Sequence, residues 1–185
     1  MLPDITTRIN NLSKALESVI IPAIGEDESF AAEQAALMLG HLKILNEQWD
    51  NAYLYEKGSF DNMAALAHTL VNLAKGGSHN LTKAQHLAHA LTELPCDLPL
   101  TVTGVSKLTA QLGQAIDELV RSAYAAGSTE FKSAMFKEIL NYNHCQSTRE
   151  RTWFKSNNLD PDVRDLPDMD EMLNSFLYIY KNIED

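Results

Sequence analysis

The chain has 185 residues, 45% of them apolar, enough for one core of ordinary size, since domains commonly run to ~100–200 residues. It carries 15 Lys and Arg against 25 Asp and Glu, a formal charge of −10, so its field repels phosphate backbones and anionic lipid head groups. Nucleic acid and membrane surfaces are therefore not expected as partners of this acidic protein. The opening Met1-Leu2-Pro3-Asp4 shows no basic stretch followed by an apolar run, and no segment approaches ~18 uninterrupted apolar residues. A cytoplasmic location is expected, with Cys96 and Cys145, which show no CxxC spacing, as free thiols.

Apolar residues recur at three- and four-residue spacing through most of the chain, which predicts helices. The first runs from about Asp4 to Ile20 and stops before Pro22, because proline inside a helix removes a donor and clashes with the preceding turn. A long second helix spans about Asp27 to Tyr55, and a third runs from about Ser59 to Lys75, ended by Gly76-Gly77. The fourth covers about Thr82 to Leu94, after which Pro95 and Pro99 break the pattern. The fifth, about Thr103 to Ala126, lines up Val105, Leu108, Leu112, Ile116, Leu119, Val120 and Ala123 on one face and closes at Gly127. The sixth starts near Ser128 and extends to about Ser156. An acidic connection over 157–167 leads to Asp168-Met169-Asp170-Glu171, a capping box that opens a seventh helix over about 168–182. The fold class expected is all-α: a single-domain antiparallel bundle of about six to seven helices, with the main bundle over about 4–156.

Two stripes carry the candidate chemistry. Winding the second helix at about 100° per residue places Phe30, Leu37, Met38, Ile44 and Leu45 on one face with Gln34, His41 and Gln48 at its centre. Burying such polar groups unpartnered costs ~1–3 kcal/mol each, so they call for partners from facing helices, water or a ligand. The sixth helix carries Glu138, Tyr142, Cys145 and Arg149 near Phe131 and Met135. Facing the first stripe, Glu138 would hold an imidazole proton and Arg149 would meet a carboxylate or phosphate; the alternative keeps both heads in water. Gln34, His41, Gln48, Glu138, Tyr142 and Arg149 are thus the candidate ligand-binding residues, either as a pocket lining or as a structural network.

The seventh helix offers Met169, Met172, Leu173, Phe176, Leu177, Tyr178, Ile179 and Tyr180 on more than one face. It is either buried on several sides or makes a homodimer contact through Leu173, Phe176, Leu177 and Tyr180. No Gly-x-Ser-x-Gly, glycine-rich phosphate loop or Glu-x-x-His pattern occurs, and no cofactor or metal is called for. The functional expectation is a non-enzymatic module that binds a small ligand or a protein. One alternative is a metal-assisted hydrolase drawing on His41, His86, His89, His144 and Glu138. Another starts from Ala67-His68-Thr69-Leu70, which resembles the opening of the motif around the phosphorylated histidine of histidine-phosphotransfer bundles and implies signalling through His68. Val71 and Asn72 stand where those domains carry Lys and Gly.

Overall fold

The computed structural model describes residues 4–157 and 160–175. It is all-α, with helices α1 (Ile5–Ala15), α2 (Ile21–Ala23), α3 (Ser29–Gln48), α4 (Ala52–Leu73), α5 (Ser78–Thr92), α6 (Val102–Ala126), α7 (Thr129–Trp153) and α8 (Met169–Ser175). A π-helical stretch, Leu16–Ile20, joins α1 to α2, and a 3-10 turn, Lys155–Asn157, follows α7. The helices gather into two compact units, one of residues 1–52 with 153–163, the other of residues 53–152 with 164–185.

In the first unit α1 packs on α3, and Ile9, Leu16, Ala35 and Trp153 are buried. The expected stop before Pro22 is instead a change of helix type. The N–H of Ile21 reaches back to the Leu16 carbonyl, five residues away, and Pro22, which has no N–H to offer, falls in the first turn of α2. Asp4 caps α1, its Oδ1 accepting from the Thr7 N–H at 2.7 Å.

The break expected between Tyr55 and Ser59 lies earlier, at residues 49–51. Trp49 closes α3 and a turn bonds Asn51 N–H to the Gln48 carbonyl at 3.1 Å. Asp50 and Asn51 favour such turns because their short polar side chains compete for the backbone. Gly58, in the gap between the second and third expected helices, sits inside α4.

The second unit has one large apolar cluster fed by four helices: Leu66, Ala67 and Leu70 of α4, Ala84 and Leu87 of α5, Ile116, Leu119 and Ala123 of α6, and Phe131, Met135 and Cys145 of α7. Phe60, Val105 and Leu112 form a second, smaller cluster. The apolar face predicted on the fifth helix is thus the core face of α6. Gly76 and Gly77, with φ of +80° and +54°, turn the chain between α4 and α5, so α5 starts at Ser78, earlier than Thr82. Thr101 and Ser128 cap α6 and α7 by accepting from the N–H groups of Gly104 and Phe131. α8 begins where the capping box predicts, the Met172 N–H bonding the Asp168 carbonyl at 2.8 Å.

Candidate functional site

Gln34, His41 and Gln48 fall on α3, in the first unit, and Glu138, Tyr142 and Arg149 on α7, in the second. The α3 face expected to be buried is turned outward: Phe30 is 73% exposed, and Leu37, Met38 and Leu45 are also exposed. The physical reason lies on the other side of the helix, where Ala35 is buried and Ala31, Ala32 and Leu39 are half-buried. These mostly small side chains form the inward side of α3, which leaves the bulkier column free.

Gln34 and His41 are exposed, and Gln48 is half-buried with its Nε2 donating to the Trp153 carbonyl at 2.7 Å. Gln48 therefore has its amide N–H satisfied within the unit and keeps its Oε1 as an acceptor. On one flank of His41 runs a trough of about 860 Å³ lined by Leu37, Gly40, Ile44, Gln48 and Phe154, with Glu33, Lys43 and Glu47 at its rim. On the other flank a trough of about 410 Å³ is lined by Leu12, Leu16, Ile20, Met38, Leu42 and Leu45. His41 lines both. Both troughs are open along their length, with apolar walls and a polar ridge between them.

The α7 stripe has a different character. Arg149 is 0% exposed, and its guanidinium donates from Nη1 to the Met172 carbonyl at 3.1 Å and from Nη2 to the Tyr55 carbonyl at 3.0 Å. Its Cζ also lies 5.3 Å from the centre of the Tyr55 ring, a cation–π distance. Space for this arrangement comes from Gly58, where a Cβ would stand 2.5 Å from Nη2. Asn62 Nδ2 donates to the buried Cys145 sulfur at 3.8 Å, and Gln146 Nε2 to Ser59 Oγ at 3.4 Å. Glu138 and Tyr142 are half-buried on the same helix. Burial pushes the Tyr55 and Tyr142 phenols up to about 12, with the Glu150 carboxylate adding to the rise. Burial also lowers the Arg149 pKa, and Glu56 is raised by its own desolvation. The Arg149 head, expected at an external anion or in water, is instead a fully buried clamp on two backbone carbonyls.

All six histidines are exposed, His68 among them on α4. His89 Nε2 lies 4.0 Å from the Glu93 carboxylate. Among the described residues no three His, Cys, Asp or Glu side chains converge as a metal ion requires, so the metal-assisted alternative finds no ready ligand set there. Leu173 is half-buried and Met172 buried, while Phe176, Leu177 and Tyr180 lie outside the described residues.

Sequence reasoning missed Phe154, Tyr55 and Gly58. A glycine inside an otherwise helical pattern is a signal of close approach, and it was available at Gly58. Nothing local marks Phe154 as the wall of an α3 trough. Comparison with protein-family profiles, curated proteins and solved structures finds no match to this chain.

Proposed function

We propose that this chain is a non-enzymatic protein-binding module whose first unit receives an amphipathic helix on the His41 face of α3. The observation that carries this reading is the regular exposure of large apolar side chains along α1 with its π-helical extension and along α3. Ile5, Leu12 and Val19 are exposed at seven-residue spacing on α1 and the π-helical stretch, and so are Phe30 with Leu37, and Met38 with Leu45, on α3. That spacing is the spacing at which one helix presents knobs to another. Apolar surface at ~25 cal/mol per Å² makes covering such columns favourable, and contiguous exposed patches of this kind mark interaction sites. The central Gln34 and His41 supply register, because a partner that leaves them unpaired forfeits ~1–3 kcal/mol for each.

The probe for this reading is a designed helical peptide with Leu at alternating three- and four-residue spacing and Glu and Lys elsewhere. Nitrogen-15 amide shifts of the full chain should move on α3 and α1 as the peptide is added, and stay fixed on α6. Leu45→Asp should weaken the binding about tenfold or more. Equal shifts throughout the protein, or undiminished binding by Leu45→Asp, would overturn it.

A further inference from the structure

We infer that the occupant of the His41 face is a second copy of this chain, α3 lying antiparallel on its symmetry mate with the two-fold axis between Leu37 and Met38; this rests on the helix-docking reading of that face. A two-fold interface must be self-complementary, each patch meeting its own reversed image. Few helix faces satisfy that condition by chance, and the exposed column of this one does so at its centre and at both ends.

Reversing α3 about the point between Leu37 and Met38 pairs positions whose numbers add to 75. Leu37 then meets the partner's Met38 and Met38 the partner's Leu37, which leaves the two copies of Leu37 only about 1.5 Å apart along the axis. At each end Phe30, the most exposed of the column, nests between the partner's Ile44 and Leu45. Gln34 stands opposite the partner's His41, so an amide and an imidazole satisfy each other twice across the axis. Gln48 already donates to the Trp153 carbonyl and falls outside the pairing, as it should.

The surface on offer also has the right size. Each half-exposed large apolar side chain presents on the order of 80 Å², and α3, α1 and Phe154 together carry enough of them to approach the ~800 Å² per partner of a standard stable interface. The two troughs beside the His41 ridge let ridge and groove interdigitate, as in helix–helix packing generally.

Disulfide trapping tests both the partner and the register. In a Cys96→Ser background, which removes the exposed native thiol, Leu37→Cys should form a disulfide-linked dimer on mild oxidation. Phe30→Cys alone should not, because two copies of residue 30 would lie about 22 Å apart along the axis at ~1.5 Å per residue. Phe30→Cys with Leu45→Cys should cross-link between chains. Sedimentation of the unmodified full chain should show a dimer at micromolar concentration, and Met38→Glu, checked for helicity, should raise its dissociation constant at least a hundredfold. A monomer at all concentrations, no Leu37→Cys dimer, or trapping by Phe30→Cys alone overturns the inference. If the designed peptide still docks on α3 in that case, the second-copy assignment falls and the protein-binding reading stands; if it does not, both fall.

Discussion

A guanidinium that donates to two backbone carbonyls in the interior needs a hole shaped to admit it, and in α4 that hole is the missing side chain of Gly58. Helix propensity alone favours alanine there by ~0.8–1.0 kcal/mol. The Cβ, however, would come within 2.5 Å of Nη2 and 3.0 Å of Cζ, and Arg149 cannot retreat without abandoning Tyr55 or Met172. Gly58→Ala should therefore destabilise the chain by ~1–3 kcal/mol, as overpacking does, seen as a lower urea midpoint. A gain in stability would show the guanidinium to be mobile. The neighbouring phenols give a pH signature. Tyr55 and Tyr142 titrate near 12 when folded against an unfolded value of ~10, so the folded state holds their protons more tightly. Their contribution is fully present below about pH 10 and is lost as pH rises through the folded value. Tyrosinate absorbance should rise in two stages, with a late stage near pH 12 that coincides with loss of helix; a single step near pH 10 would contradict the burial. Sequence pattern marked Arg149 as half-buried, yet its partners are carbonyls of Tyr55 and Met172, and every residue has a carbonyl, so nothing in side-chain identity points to them.

Glycine also decides where elements end. Gly77 holds φ at +54° and ψ at +136°, outside the left-handed helical well, a conformation that costs L side chains ~1–3 kcal/mol, while its Cβ position is 3.5 Å from the nearest atom. Gly77→Ala should cost ~1–3 kcal/mol of unfolding free energy from backbone strain with no packing clash. An unchanged urea midpoint would mean that the turn adopts another conformation. At this scale the sequence was legible wherever periodicity was unambiguous. The apolar face of α6 and the capped start of α8 lie where the pattern puts them. The α3–α4 boundary was misplaced: the expected gap fell at residues 56–58, whereas Gly58 sits inside α4, where its missing side chain admits Arg149. The orientation of α3 was also not legible: hydropathy ranks the Phe30–Leu37–Leu45 face above the alanine side, and the structure turns the alanine side inward.

Over the whole molecule, apolar burial is unevenly shared. The first unit buries Ile9, Leu16, Ala35 and Trp153, while the second buries a continuous cluster fed by four helices. Local opening follows buried apolar contact, so native-state hydrogen exchange should show the amides of α1 and α3 opening at lower free energy than those of α4, α6 and α7. Addition of the designed peptide should slow exchange on α3 selectively. Uniform protection across both units would count against the division. The same imbalance explains why function was less legible than fold. A stripe of Gln34, His41 and Gln48 among leucines reads identically from sequence whether it faces a core or solvent, and only the outward turn of α3 separates the two.

The π-helical stretch at Leu16–Ile20 has a consequence for how this chain tolerates change in length. A π turn is, in effect, one residue more than the helix requires. Removing Val19, which is exposed, would let the segment close into ordinary α-helix while Ile9 and Leu16, on its N-terminal side, keep their angular positions. A deletion within α6 has no such slack, since every residue beyond it would rotate by about 100° and carry the core face away from α5. Length variation should therefore be absorbed at the end of the first helix, at the edge of the trough lined by Leu16 and Ile20, so that a one-residue change there reshapes that trough while leaving the core of the second unit unaltered.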